Sequence, residues 1–348
     1  MKISILKLTD GKPGHITTTD GVIEAIKRDH DVEVFELQIK LRAKILLQVL
    51  KLLIKYAWFD RFLHSNHNFL KLFYKDFQFP SQKIDVIVST GGDTSFINIW
   101  LSRLLKIKNI YCSQLRGLNP DFFYLIISRT ELGIRNSIYM EVAPSSVAKN
   151  NILSLVEEFC REHQITQDEK YFVLMLGGDG AGYTFTKKDF TSIIKGFMQQ
   201  VRKHEAKALI TTSRRTGLEN EQYLMDQLKT YQNDISYAVY FNHKAEKVVA
   251  PFLYMASSIF VTEESGSMIG ESLYYKKPLF ALVPESVKMQ NKYKKFLEDL
   301  KSRKRIYSIS INELHNLNID TYDFNFIQKS PIDDLSDKIQ PYFKEGLT

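Results

Sequence analysis

Short apolar runs alternate with amphipathic stretches along almost the whole chain. Ile3 to Thr9 is the first apolar run. A 3.6-residue periodicity predicts a helix from about Thr18 to Arg28, and Asp31 to Leu37 alternates with the period of a strand. The pattern repeats with strands at Ile84–Ser89, Asn109–Ser113 and Phe123–Ser128, and a helix over Phe96–Leu105. A polar, acidic stretch over 143–170 reads as a connection. Strands then follow at Tyr171–Leu176, Ala206–Thr212, Tyr237–Phe241, Ile259–Val261 and Pro278–Val283. Helices separate them, over Lys187–Lys203, up to Ala256, and after Gly266. An amphipathic helix over Asn291–Leu300, a basic run Lys301–Arg305 read as a solvated end, and a helical segment near Ser336–Phe343 close the chain. Strands alternating with helices at this spacing make parallel sheets, and 348 residues suit two α/β domains. The expected division is a first domain at 1–150 with an insertion at 38–77, a second at 165–315, and a tail at 316–348.

Functional loops of doubly wound sheets lie at the carboxyl ends of the strands. The opening strand ends in Asp10-Gly11-Lys12-Pro13-Gly14-His15. His15 has a side chain that titrates near neutrality, which suits a general base; equally it serves as a hydrogen-bonding residue of the following helix. Asp10 and Asp93 are rival bases at comparable positions. Lys12 suits an acceptor carboxylate or phosphate, or simply solvent. In Thr90-Gly91-Gly92-Asp93-Thr94-Ser95 the glycines permit close ligand approach, and Thr94 or Ser95 is placed to cap the next helix.

The richer ends belong to the second half. Gly177-Gly178-Asp179-Gly180-Ala181-Gly182 brings backbone close to a ligand or makes several positive-φ turns. It ends in no Gly-Lys-Ser/Thr, so a P-loop NTPase is disfavoured, and no spaced dinucleotide fingerprint opens the chain. Ser213-Arg214-Arg215-Thr216 offers two guanidinium forks beside hydroxyls, a match for a diphosphate. Ser265-Gly266-Ser267 starts a helix and leaves backbone N–H groups for phosphate. Glu271 follows one turn later, where its carboxylate can accept from two sugar hydroxyls. Phosphate on the amides and ribose on the carboxylate describe a nucleotide. The structural alternative is a strand–turn–helix with solvated carboxylates.

Composition narrows the classes. Apolar residues make up 44%, enough for real cores. Cys112 and Cys160 form no disulfide framework and no metal spacing. Lysines break the first apolar run, and no stretch of about 18 apolar residues occurs, so neither a signal peptide nor a spanning helix is expected. A cytoplasmic location follows, with no metal and no resident cofactor. The net charge of +7 favours an acidic partner. From Gln38 to Arg61 the bases Lys40, Arg42, Lys44, Lys51, Lys55 and Arg61 face the single acid Asp60, a net of +5. Lys40, Lys44, Gln48, Lys51 and Lys55 fall on one helical stripe, with Leu, Ile, Val, Trp58 and Phe59 elsewhere. Over 38–62 this suits peripheral attachment to an anionic membrane; a packed helix with a lysine-lined solvent face is the equal alternative. A second, aromatic helix is expected over Asn68–Phe77. No nucleic-acid-binding signature is present.

Glu263 and Glu271 have seven residues between them, followed by Lys277-Pro278. This resembles the paired-glutamate nucleotide-sugar motif of GT-B glycosyltransferases. More narrowly, Val261-Thr262-Glu263-Glu264-Ser265 through Met268, Glu271 and Lys277-Pro278 resembles a signature of the elongated-mitochondria fission family. The Gly14-His15 step and Thr212-Ser213-Arg214-Arg215-Thr216 resemble the same family. Glu264-Ser265-Gly266 departs from it, as does the basic insertion. The resemblance implies two Rossmann-like domains facing a cleft, with the terminal segment crossing back to the first domain. It implies a metal-independent glycosyltransferase using a nucleotide-sugar donor and a glycan or lipid-linked acceptor. Gly178, Ser213, Arg214, Arg215, Glu264, Ser265, Gly266, Ser267 and Met268 would line the donor site, with Glu271 on the ribose. Glu263 would touch the sugar, and His15 or Asp10 would deprotonate the acceptor. A nucleotide-sugar 2-epimerase and a non-catalytic membrane-surface adaptor of the same fold are the alternatives.

Overall fold

The computed structural model describes residues 2–56, 62, 67–75, 77–144, 152–289 and 291–344. The chain divides into two compact units, Met1–Val147 with Lys329–Thr348, and Ala148–Gln328.

The first unit is built on β1 (Ile3–Thr9), β2 (Val32–Gln38), β3 (Val86–Thr90), β4 (Lys108–Cys112), β5 (Leu125–Ser128) and β6 (Ser137–Tyr139). All pairings are parallel, in the order β2-β1-β3-β4-β5-β6. Parallel strands are covered on both faces, which is why β3 is buried throughout, with Val86, Ile87 and Val88 as its apolar run. Helix α1 (Pro13–Lys27) packs Val22, Ile23 and Ile26 against one face. Helix α2 (Lys44–Leu53) and α3 (Ser95–Leu105) pack Leu47, Leu50, Phe96 and Trp100 against the other. The last helix, Pro331–Lys344, lies beside α1 through Ile332, Leu335 and Ile339. The Tyr124 hydroxyl donates to the Tyr342 carbonyl at 2.6 Å, and Arg28 pairs with Asp333 at 3.2 Å.

Three local expectations change here. Helix α1 starts at Pro13 rather than near Thr18, because proline pre-sets the first helical φ; His15 therefore sits in its first turn. The basic segment is not one long helix. Lys40–Leu41 is extended and pairs antiparallel with Tyr74–Lys75, and the Arg42 N–H donates to the Phe73 carbonyl at 2.9 Å. Only Lys44–Leu53 is helical, while Trp58, Phe59, Asp60 and Arg61 lie outside the described residues. The expected aromatic helix is a 3₁₀ turn, His67–Leu72, followed by that extended pair. Burial of Phe73, Tyr74 and Phe77 in the core holds it in this form.

The second unit repeats the logic. Its strands are β7 (Tyr171–Leu176), β8 (Lys207–Thr212), β9 (Ile235–Val239), β10 (Ala256–Thr262), β11 (Leu279–Val283) and β12 (Tyr307–Ser310), all parallel in the order β9-β8-β7-β10-β11-β12. After α4 (Ile152–His163), helix α5 (Lys187–Lys203) opens on a capping box, in which Asp189 accepts from the Thr186 N–H at 2.7 Å. Helix α6 (Leu218–Leu228), α7 (Val249–Met255) and α8 (Gly266–Leu273) complete the crossovers used below. The order of connection reverses at β7, between β8 and β10. In an open α/β sheet that is where ligands bind.

Candidate functional site

At the reversal in the second unit three loops meet beyond the carboxyl ends of β7, β8 and β10. The Gly177 N–H donates to the Thr262 hydroxyl at 2.7 Å, and the Gly178 N–H to Glu264 Oε1 at 3.1 Å. Arg215 Nη2 reaches the same oxygen at 3.1 Å. The Thr216 hydroxyl donates back to the Gly177 carbonyl at 2.6 Å. Two glycines are required by this packing. A Cβ on Gly177 would stand 1.6 Å from Glu264 Oε1, and one on Gly178 2.1 Å from the Arg215 carbonyl oxygen. The loops therefore form one interlocked unit with Glu264 at its centre.

Glu264 is 2% exposed, and its Oε2 has no hydrogen-bond partner. Burial pushes its carboxyl up to about 7, although Arg215, the Thr262 hydroxyl and the Gly178 amide all favour the charged form. Beside it, Ser265 precedes α8, and its side chain makes no capping hydrogen bond to that helix. Gly266 lies under the Tyr293 and Phe296 rings. Arg214 is exposed and makes no ion pair among the described residues. Glu271, on α8, is open to solvent, yet desolvation by surrounding protein raises its carboxyl above the ordinary range.

The first unit has its own reversal, between β1 and β3. Here the His15 ring packs on Gly91, where a Cβ would stand 2.3 Å from Nδ1. Nδ1 lies 2.9 Å from Asp10 Oδ2 and 3.0 Å from Oδ1. Lys12 Nζ bridges Asp10 and Asp93, at 2.7 Å to each. Burial would raise the Asp10 carboxyl, but the hydrogen bonds from His15 and Lys12 outweigh it and hold Asp10 at about 2. Asp10 is thus an ionised acceptor, so a neutral His15 carries its proton on Nδ1 and presents a lone pair at Nε2. That is the orientation a general base needs. Among the described residues no group of three His, Cys, Asp or Glu could hold a metal ion.

The sequence profile described as "Mitochondrial fission ELM1" matches residues 13–325. The chain belongs to the mitochondrial fission ELM1 family. No curated protein sequence matches this ELM1-family chain significantly. Among solved structures it is similar to UDP-GlcNAc 2-epimerase from Methanocaldococcus jannaschii, at 15% identity and TM-score 0.64, over 99% of this chain and 100% of that one. It is similar to UDP-GlcNAc 2-epimerase from Neisseria meningitidis bound to UDP-GlcNAc, at 13% identity and TM-score 0.55, over 99% and 100%. It is also similar to Arabidopsis thaliana UGT89C1 complexed with UDP, at 11% identity and TM-score 0.52, over 100% and 96%. Such identities speak for fold alone, and the fold is GT-B-like, with two Rossmann-like sheets.

The candidate donor-site residues of the second unit gather at one sheet edge, but they are not equivalent. Gly178, Ser213, Arg215, Glu264 and Ser265 belong to the interlocked loops. Gly266, Ser267, Met268 and Glu271 ride on α8. Glu263, expected on the sugar, points inward. It is 2% exposed, its Oε2 accepts from the Tyr183 hydroxyl at 2.6 Å and its Oε1 from Ser308. Both oxygens are occupied, so its place here is as a post between β10, the glycine loop and β12. Thr94 and Ser95 do not cap α3 either; their hydroxyls donate to the Gly91 and Gly92 carbonyls, at 2.8 and 2.7 Å.

Sequence reasoning missed Glu221 and Asn242. Glu221 is fully buried in α6, accepts from the Thr212 hydroxyl, and accepts from the Asn242 N–H at 2.9 Å. Asn242 Nδ2 then donates to the Ser213 carbonyl at 3.1 Å, which shapes the arginine loop. In sequence Glu221 reads as an ordinary first-turn acid, and no local signal marks it as buried.

Proposed function

We propose that this ELM1-family chain moves a sugar from a nucleotide-sugar donor to a hydroxyl of a glycan or lipid-linked acceptor. The observation that carries the reading is the second unit's edge: the start of α8, the exposed Arg214, which makes no ion pair among the described residues, and the solvent-open Glu271 flank one glycine-rich junction. Amides and guanidinium groups suit the diphosphate, and the Glu271 carboxylate suits the ribose hydroxyls. Two fold neighbours are named with UDP-GlcNAc or UDP bound, which supports this donor class. In the transfer, His15 Nε2 takes the acceptor proton, the acceptor oxygen bonds to the anomeric carbon, and the bond from that carbon to the phosphate oxygen breaks. Its electron pair leaves with the nucleoside diphosphate, whose charge Arg214, Arg215 and the α8 amides stabilise without calling on a metal.

A panel of UDP, GDP, ADP and CMP in thermal-shift experiments tests the donor site. One nucleotide is expected to raise the Tm of the whole chain. Glu271→Ala is expected to weaken its affinity roughly 10–100-fold, the loss of hydrogen bonds to a charged group, with the unliganded Tm unchanged. A chain that responds to no nucleotide would be an adaptor of the fold rather than an enzyme.

The acceptor side is read as working at a membrane surface. Among the described residues no helix is long and apolar enough to cross a membrane. Helix α2 instead buries Leu47, Leu50 and, just beyond it, Ile54, while Ile45, Val49, Leu52 and Tyr56 are 69%, 43%, 61% and 55% exposed. Their spacing puts Ile45, Val49 and Leu52 on one side of the helix, with the bases Lys44 and Lys51 on another, and Lys55 and Tyr56 follow just beyond its end. That pairing of apolar and basic faces suits an anionic lipid surface. Flotation with phosphatidylglycerol vesicles is expected to recover the protein and phosphatidylcholine vesicles to leave it behind. Leu52→Asp with Ile45→Asp is expected to abolish recovery. Equal behaviour on both lipids would remove the membrane part alone.

A second reading, a nucleotide-sugar 2-epimerase, is favoured by Asp10, Lys12, His15 and Asp93 lying together, since such groups can move a proton off and onto carbon. Incubation with the donor sugar nucleotide alone separates the two: an epimerised, still nucleotide-linked product supports this reading.

A further inference from the structure

Two cations of the first unit, one on α2 and one in the loop after β4, have no ion pair among the described residues. Lys51, on α2, is half-buried, and Arg116, in the loop after β4, is exposed; neither makes a hydrogen bond or ion pair among the described residues. Arg116 adopts a left-handed φ of 49°, ahead of Gly117 at 83°. Its guanidinium lies against Gly92, where a Cβ would stand 3.0 Å from Nη1 and 3.5 Å from Cζ. Burial and the Arg116 charge lower the Lys51 pKa, and nearby Asp93 does not restore it. Asp93 is already held by Lys12 at 2.7 Å. Like charges brought together, with the nearest acid already shared with Lys12, oppose the fold, and a bound anion removes that opposition. The anion would also meet the start of α3, whose first residues leave it uncapped.

We propose that Lys51, Arg116 and the Gly91–Gly92 turn before α3 form a binding site for a phosphate group carried by the acceptor. The assignment of that phosphate to an acceptor rests on the transfer reading above; the anion site does not. A guanidinium fork plus a separate ammonium suits the several oxygens of a phosphate better than a single carboxylate. Lys51 also shares α2 with the exposed Ile45, Val49 and Leu52. A phosphate bound here would stand beside the face read as lipid-facing.

The test is a thermal-shift titration of the whole chain with inorganic phosphate, against chloride at equal ionic strength. Wild type and Arg215→Ala are both expected to be stabilised. Arg116→Ala and Lys51→Ala are each expected to weaken phosphate binding roughly tenfold, the double variant to abolish it, and Arg116→Lys with Lys51→Arg to restore part of it. Unliganded Tm values of the variants report any general loss of folding. The proposal is overturned if phosphate has no effect on wild type, if the double variant responds as wild type does, or if Arg215→Ala alone removes the response. In that last case the donor site is the only anion site, and the nucleotide titration of Glu271→Ala still judges the donor reading separately. The source is read with two further probes. Glycerol 3-phosphate acting in solution marks a soluble acceptor. Lys51- and Arg116-dependent binding to phosphatidic acid vesicles, over phosphatidylglycerol vesicles, marks a lipid-borne one.

Discussion

His15→Ala is expected to lower sugar transfer by roughly 10²–10⁴-fold in kcat, with little change in donor KM, the usual worth of a positioned acid–base group. Asp10 stays ionised because His15 and Lys12 hydrogen bonds hold its carboxyl at about 2. The orienting charge is therefore present at any working pH. It fixes Nδ1 as donor at 2.9 Å and leaves Nε2 to the acceptor. Asp10→Asn keeps the shape, but its amide can turn either an oxygen or a nitrogen to the ring. It is expected to lose most of the rate while retaining nucleotide binding. Gly91→Ala gives an independent check, because its Cβ would occupy the ring's place, 2.3 Å from Nδ1. It should reproduce much of the His15→Ala loss with every titratable group still present. Steady-state release of nucleoside phosphate decides. Unchanged kcat in His15→Ala would move the base to Asp93 or Asp10.

The strand ends that carry this chemistry were legible because parallel strands are apolar runs and their loops are glycine- and polar-rich. The Ile3–Thr9, Tyr171–Leu176 and Ile259–Val261 runs led straight to Asp10, Gly177 and Glu263. What the pattern does not contain is the side-chain partner from far along the chain. Glu263 and Glu264 are adjacent and alike in sequence. Yet Tyr183 and Ser308 take the first, while Arg215 and Gly178 share one oxygen of the second. Only the register of β10 against β7 and β11 decides which is which. The strand Tyr307–Ser310 was hidden because the basic run Lys301–Arg305 reads as a solvated end, although Ile309 pairs with Leu282 inside the sheet. Ser137–Tyr139 is only three residues long, too short for any period to show. The basic stripe over 38–62 was visible as charge. Its break into an extended pair and a short helix depends on Tyr74 finding Leu41, and no local propensity encodes that contact.

Glu264→Gln is expected to make the chain more stable at pH 8 than the wild type and to flatten part of its pH dependence. The folded carboxyl titrates at about 7, against an ordinary value of 4.5, because burial disfavours its charge. Between these two values the folded state holds a proton that the unfolded state has released, so wild-type stability falls as pH rises through the window. At about 1.4 kcal/mol per unit the loss is on the order of 3–4 kcal/mol, complete above pH 7 and absent below pH 4.5. Glutamine carries no charge to bury, and its amide oxygen can still accept from Arg215 and the Gly178 N–H. His204, whose pKa burial lowers from 6.5, works in the opposite sense in the same range. The readout is therefore the difference between the two proteins' Tm curves from pH 5 to 8, not either curve alone. That difference should grow as pH rises and level off near pH 8; a flat difference would mean that Glu264 is ionised in the fold at neutral pH. The same change should also bear on the ligand. With Glu264 neutral, Arg215 no longer has an anionic partner in the protein, and its charge is left for the donor diphosphate. Glu264→Gln is accordingly expected to tighten nucleoside diphosphate binding at pH 8 and leave it nearly unchanged at pH 5.5, where the wild-type carboxyl is already protonated.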